Sequence, residues 1–192
     1  PELYSKLKQA GCHRVHFGVE TGSPKIMKDS GKFLTIDQVR DAMKISRDIG
    51  MEVMLYFMFG FLEETPEDAR MTMDFARELN PDYASFGILI PYPGTAIYKE
   101  GLARGLIPRD YWRDFARNPE PDYRIPYVIE DKLDRKTLVK MKNDATRRFY
   151  WRPTQIIREL NNVSNLRDLI QKARLGTAIL MDGINPMSVN RY

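Results

Sequence analysis

Three apolar runs end in polar turns that carry Gly or Pro, and a helix-like pattern follows each turn. The runs cover 12–20, 52–59 and 82–90, and their turns read GVETGS (18–23), MFGFLEET (58–65) and ILIPYPGT (88–95). Run starts about 30–40 residues apart match the βαβ unit, in which the crossover is right-handed and the strands are parallel. Such sheets keep their ligand sites at the rim formed by the C-terminal ends of the strands. The three turns are therefore the candidate site.

Local signals support the alternation. In 12–20, Val15, Phe17 and Val19 fall on one side, and Arg14, His16, Gly18 and Glu20 on the other. Val39, Ala42, Met43, Ser46 and Ile49 form a helical stripe after Thr35 and Gln38, which have capping-box spacing. The nearly continuous apolar run 52–59 suits a strand buried on both faces. Thr65-Pro66-Glu67-Asp68 is a strong helix start, with a cap, Pro at the first helical position and acids in the first turn. The expected fold class is α/β, a partial (βα) barrel of about three parallel strands with flanking helices, followed by a helical C-terminal region. The expected organisation is a half-barrel over 1–106, a Pro- and aromatic-rich loop over 107–130, and a helical region over 131–192. Helices are predicted at 133–149, 154–161 and 165–175, with a mobile tail from Gly176.

Composition narrows the chemistry. The 192 residues carry one cysteine and two histidines. Cys12 cannot form an internal disulfide, and the expected compartment is a reducing cytoplasm. Too few soft ligands are present to assemble a metal site within the chain. No phosphate-binding loop occurs, and the longest apolar run, 53–62, is short of the ~20 residues of a membrane helix. The net charge of +4 is weak evidence for a polyanionic partner, although 131–174 holds 12 Lys/Arg against 5 Asp/Glu. The chain opens at Pro1 inside a helix-like pattern, as expected of a piece of a longer protein.

The turns supply the candidate residues. Glu20, at a strand end, can accept hydrogen bonds from ribose hydroxyls or an ammonium group, or it can pair with a neighbouring Arg or backbone group. His16 is a proton-transfer candidate or a satisfied core residue, and His13 reads as surface. Gly60 would let a ligand approach the backbone closely. Glu63 and Glu64 stand before the helix cap, where either can answer the helix dipole. Tyr92, in the rigid turn Pro91–Thr95, faces a ligand or packs under the Pro-rich loop.

Taken together, the three turns resemble the second half of the radical S-adenosylmethionine barrel, over about 3–106. GVETGS followed by Lys32 resembles its fourth-strand segment, 57–65 the fifth and 89–95 the sixth. The likeness is greatest to the cobalamin-dependent group, including anaerobic magnesium-protoporphyrin monomethyl ester cyclases. It implies S-adenosylmethionine and a 4Fe–4S cluster as cofactors, reductive cleavage to a 5′-deoxyadenosyl radical, and a small-molecule substrate such as a tetrapyrrole or another large metabolite. It leaves cobalamin use open. It implies cofactor contacts at Glu20, Thr21, Met58, Gly60, Glu64, Ile90 and Tyr92, and it names no catalytic residue. Glu20 would contact the ribose or methionine part, and Met58 the adenine.

The departure from that family is the missing CxxxCxxC loop, whose thiolates hold the cluster. A chain without it is expected to be inactive alone and to need an N-terminal half-barrel as partner. An unpaired strand edge and a half-open lumen predict self-association. Two other readings stand beside this one. The first is a nucleotide-binding half-barrel without redox chemistry. The second is a fragment of a radical RNA-modifying enzyme, with Arg147, Arg148 and Arg152 on phosphate, although nucleic acid is the less expected partner.

Overall fold

The computed structural model describes residues 2–119 and 128–182. The element order is α1 (Glu2–Gln9), β1 (Arg14–Glu20), α2 (Pro24–Asp29), α3 (Ile36–Asp48), β2 (Glu52–Phe59), α4 (Pro66–Leu79), β3 (Tyr83–Ile88), α5 (Ala96–Ala103), α6 (Tyr111–Arg117), α7 (Arg135–Tyr150), α8 (Pro153–Asn161) and α9 (Leu166–Asp182). The strands form one parallel sheet in the order β1-β2-β3. This is the α/β arrangement that the spacing of the turns predicts.

One face of the sheet is packed and the other is open. Val53, Leu55, Phe57 and Phe59 of β2 are at most 1% exposed, while Tyr56 between them is 39% exposed. Full burial of side chains of this size stabilises a fold by roughly 1.5–3 kcal/mol each. Their cover comes from Val39 and Met43 of α3, Ala69, Met73, Ala76 and Leu79 of α4, and Leu138, Ala145 and Phe149 of α7. Phe86 of β3 stacks on Phe57 and Phe59 at 5.4 and 6.3 Å and meets the edge of Phe149 at 6.2 Å. Thus α7 belongs to the same core as the sheet. Its Tyr150 hydroxyl donates to Ala84 O (2.8 Å) and accepts from Ala84 N–H (3.2 Å), which occupies the backbone of β3 there.

The predicted capping box at Thr35 forms, and the predicted cap at Thr65 closes as a box too. Thr35 closes with Gln38 and Thr65 with Asp68, and Pro66 stands in the first turn of α4. Three details differ from the sequence reading. Residues 24–29 form a short helix, capped by Ser23, ahead of the predicted helical stripe. A helix capped by Asp110 stands within 107–130, because its aromatic residues pack beside α5. Helix α9 runs through Gly176 to Asp182, so the tail is helical that far, and the rest of it lies outside the described residues.

Candidate functional site

The first turn begins with a break in the β1–β2 register between Gly18 and Glu20. Glu20 has φ 70°, a left-handed conformation that a residue with a Cβ adopts at a cost of about 1–3 kcal/mol. Its carboxylate folds back over Gly18, which is paired in register with exposed Tyr56 and so lies on the open face. A methyl group on Gly18 would run into Glu20 Oε1 and stand 2.8 Å from Lys32 Nζ. Lys32 donates to Glu20 Oε1 at 2.6 Å and to Gly18 O. The carboxylate is 21% exposed and the lysine 36%. Glu20 therefore reaches the lumen side, as strand parity predicts, through the bulge and the room that Gly18 leaves.

The rest of this turn is anchored. Thr21 is fully buried, its hydroxyl 3.1 Å from Thr72 Oγ1, and Gly22 N–H donates to Thr72 Oγ1 at 3.0 Å. Ser23 donates to Asp68 Oδ1 at 2.6 Å. Burial opposes ionisation of Asp68, but hydrogen bonds from Ser23 and Thr65 hold its carboxyl below the usual range. Thr21 thus ties β1 to α4 from the packed side and is not presented to the open face.

The second turn is held by Glu64. This residue is 1% exposed, and its Oε2 accepts from Gly60 N–H (2.5 Å) and Phe61 N–H (3.1 Å). Its Oε1 has no partner among the described residues. Burial pushes the carboxyl up to about 7, against those two N–H groups. Gly60 has φ 98°, and a Cβ there would meet Leu138 at an ordinary 3.5 Å. The glycine is thus needed for its backbone conformation, and its N–H is already taken. The Gly60 N–H and the Glu64 carboxyl are thus turned into the protein. Glu63, also at positive φ, pairs with Arg104 at 2.6 Å and Lys132 at 3.4 Å, and its carbonyl accepts from Lys25 at 2.8 Å.

The third turn is fixed by Leu89 N–H to Phe59 O (2.8 Å) and Trp112 Nε1–H to Pro91 O (3.2 Å). Ile90 is 38% exposed and Tyr92 55%. The Tyr92 ring leans on Trp112 with centroids 5.5 Å apart, so part of it packs and part stays accessible. A cleft of about 500 Å³ beside this turn is lined by Pro93, Tyr98, Asp110, Trp112 and Phe115. Burial and a hydrogen bond to Asp110 push the Tyr98 phenol up to about 12.

On the open face Met58, at the height of the rim, and Met54, lower down, are half-buried, and His16 Nδ1 lies 3.0 Å from the Tyr56 hydroxyl. His16 is exposed, so it is not a core histidine. Arg14 gives Glu52 two hydrogen bonds (2.9 and 2.7 Å) and lies 4.2 Å over the Tyr83 ring. The open face thus carries the polar side chains of Arg14, His16 and Tyr56. On the C-terminal helices, Arg147 is paired with Asp144 at 2.6 Å, and Arg152 donates to Phe149 O at 2.8 Å. Two of the three arginines expected on phosphate are committed within the protein.

A parallel strand-end rim, a strained glutamate paired with a lysine, and an open polar face define an α/β protein whose candidate ligand site is the C-terminal ends of its strands. The sequence profile of the Radical SAM superfamily matches residues 1–76, and this chain carries part of a radical S-adenosylmethionine domain. It is 33% identical over 154 residues to an uncharacterized methyltransferase of Pyrococcus horikoshii, covering 80% of this chain and 32% of that protein. It is 26% identical over 149 residues to the anaerobic magnesium-protoporphyrin IX monomethyl ester cyclase of Rubrivivax gelatinosus, covering 78% and 25%. The chain thus spans about a third or less of the length of these relatives. A solved structure of coproporphyrinogen III oxidase (HemN) from Escherichia coli superimposes with TM-score 0.44 at 19% identity, over 54% of this chain and 29% of that one, too loosely to bear on function.

Proposed function

We propose that this chain is the ribose- and methionine-binding side of a radical S-adenosylmethionine enzyme whose cluster-binding side lies elsewhere in a longer protein. The observation that carries this is Glu20. A non-glycine residue is held at φ 70° so that its carboxylate lies over Gly18 on the open face, at the strand end, with Lys32 at 2.6 Å. Strain of this kind persists where the surrounding structure enforces it, and it gathers at binding sites. The pair offers one carboxylate oxygen as acceptor and an ammonium N–H as donor, which suits a vicinal diol or an α-amino acid group. Met58, Ile90 and Tyr92 would lie against the adenine, while Thr21, Gly60 and Glu64 hold the turns from behind.

Bound beside a reduced cluster, S-adenosylmethionine supplies a 5′-deoxyadenosyl radical. The residues described here do not fit the cluster itself. None of their His, Cys, Asp and Glu side chains form a group of three that could hold a metal ion, and Cys12 lies before β1, opposite the rim, with Sγ 3.2 Å from Arg14 O. This chain's own part is to orient the cofactor and to wall off one side of the lumen. The substrate reading is a tetrapyrrole or a similarly large metabolite, supported by the cyclase relative, and the reaction reading is methyl transfer or cyclisation.

Isothermal titration of the full-length protein with S-adenosylmethionine tests this. Glu20→Gln should weaken binding roughly 10- to 100-fold, the loss expected for a hydrogen bond to a charged group. The coding region should carry CxxxCxxC roughly 60–100 residues, or two to three βα units, before Glu20. Unchanged binding in the variant, or no such motif, would overturn the proposal.

A further inference from the structure

The open face holds a polar pair that neither the packing nor the rim uses. Tyr56 is 39% exposed on a strand whose alternate residues are buried, and its hydroxyl is 3.0 Å from Nδ1 of exposed His16. The rings are 5.9 Å apart and tilted 38°. Their mutual hydrogen bond leaves His16 Nε2 and the second capacity of the Tyr56 hydroxyl without a partner among the described residues. Around them the face is kept low. Gly87 is in register with Met58, and a Cβ there would meet Met58 Cγ at 3.9 Å, an ordinary contact, so its absence is space rather than necessity.

We propose that His16 and Tyr56 form a substrate-contacting floor below the Glu20–Lys32 rim. It takes an uncharged hydrogen-bonding group, a hydroxyl or carbonyl, carried on an apolar body that lies against Met54, in register with His16. This rests on the reading of the open face as the ligand side. Charge decides the class of group. Arg14, on this face, is already neutralised by two hydrogen bonds to Glu52, so among the described residues its guanidinium does not await a carboxylate at this level. Tyr56 pairs in register with Gly18, directly below the folded-back Glu20 carboxylate. A ligand portion on the floor therefore sits beneath whatever Glu20 holds.

The test uses the chain with ¹³C-labelled histidine rings and methionine methyls, titrated with cyclohexanol, cyclohexanone and cyclohexanecarboxylate as probes. There are only two histidines, so His13 is an internal control. The two neutral probes should shift the His16 and Met54 signals saturably, leave His13 in place, and outcompete the carboxylate. Tyr56→Phe and His16→Gln should each weaken the response roughly two- to ten-fold, one neutral hydrogen bond. Both lie opposite the packed core, and the His13 signal or the circular dichroism verifies their fold. No His16 shift, equal response to the carboxylate, or indifference to both substitutions would overturn the proposal. If S-adenosylmethionine fails to bind while the cyclohexanol response stands, the cofactor reading falls and the floor is supported. The reverse result overturns the floor alone.

Discussion

Titrating stability between pH 5 and 8 isolates one carboxyl at the rim. In the folded chain Glu64 titrates at about 7 because burial outweighs its two backbone N–H donors, against 4.5 when solvated. Below 4.5 both folded and unfolded chains hold this proton. Between 4.5 and 7 only the folded chain does, so unfolding releases a proton and stability falls as pH rises. Above 7 both have lost it, and the loss stops growing. The slope is at most ~1.4 kcal/mol per pH unit, and the loss integrated from pH 5 to 8 is about 2.5 kcal/mol. Glu64→Gln keeps an acceptor for Gly60 and Phe61 and cannot titrate. The lowered carboxyl of Asp68 acts oppositely, its stabilisation being lost only as pH falls below the solvated value of 3.8. Urea unfolding followed by Trp112 and Trp151 fluorescence should therefore show the native chain losing about 2.5 kcal/mol relative to Glu64→Gln across this window. Curves that stay parallel to within ~0.5 kcal/mol would refute the reasoning.

Gly18→Ala and Gly22→Ala should behave differently. At Gly18 the new methyl meets only the ends of the Glu20 and Lys32 side chains, so stability should change by less than ~1 kcal/mol while cofactor binding fails. At Gly22 it meets Phe75 Cβ at 2.6 Å, Met71 O at 2.7 Å and Thr72 Cα at 2.9 Å, and this backbone cannot yield, so ~2–3 kcal/mol should be lost in urea unfolding. Light scattering should find the isolated chain self-associated through β1, which pairs only with β2 among the described residues; a monodisperse monomer would count against that.

The three strands were legible because their apolar runs and turn residues act locally, and the box at Thr35 and the cap at Thr65 because capping depends on four adjacent residues. The side to which Glu20 turns was legible from parity, but its route was not. A bulge at Gly18–Glu20 depends on the neighbouring strand and leaves no local mark. The roles of Thr21 and Glu64 were hidden for a related reason. Their partners are Thr72, across 51 residues, and the backbone of Glu64's own turn, and polarity alone does not say whether such a group faces a ligand or the protein. The His16–Tyr56 bond, across 40 residues, required the sheet register.

The packing of α7 on β3 also orders events in time. Tyr150 bonds Ala84 across 66 residues, and Phe149 covers Phe86. At translation rates of about 5–20 residues per second, β3 leaves the ribosome roughly 3–13 s before its cover exists. For that interval the part of the phenylalanine-rich surface that α7 covers, around Phe86, stands bare on the nascent chain. A ribosome-associated chaperone thus has a defined window of action on this protein, closed when residue 150 emerges.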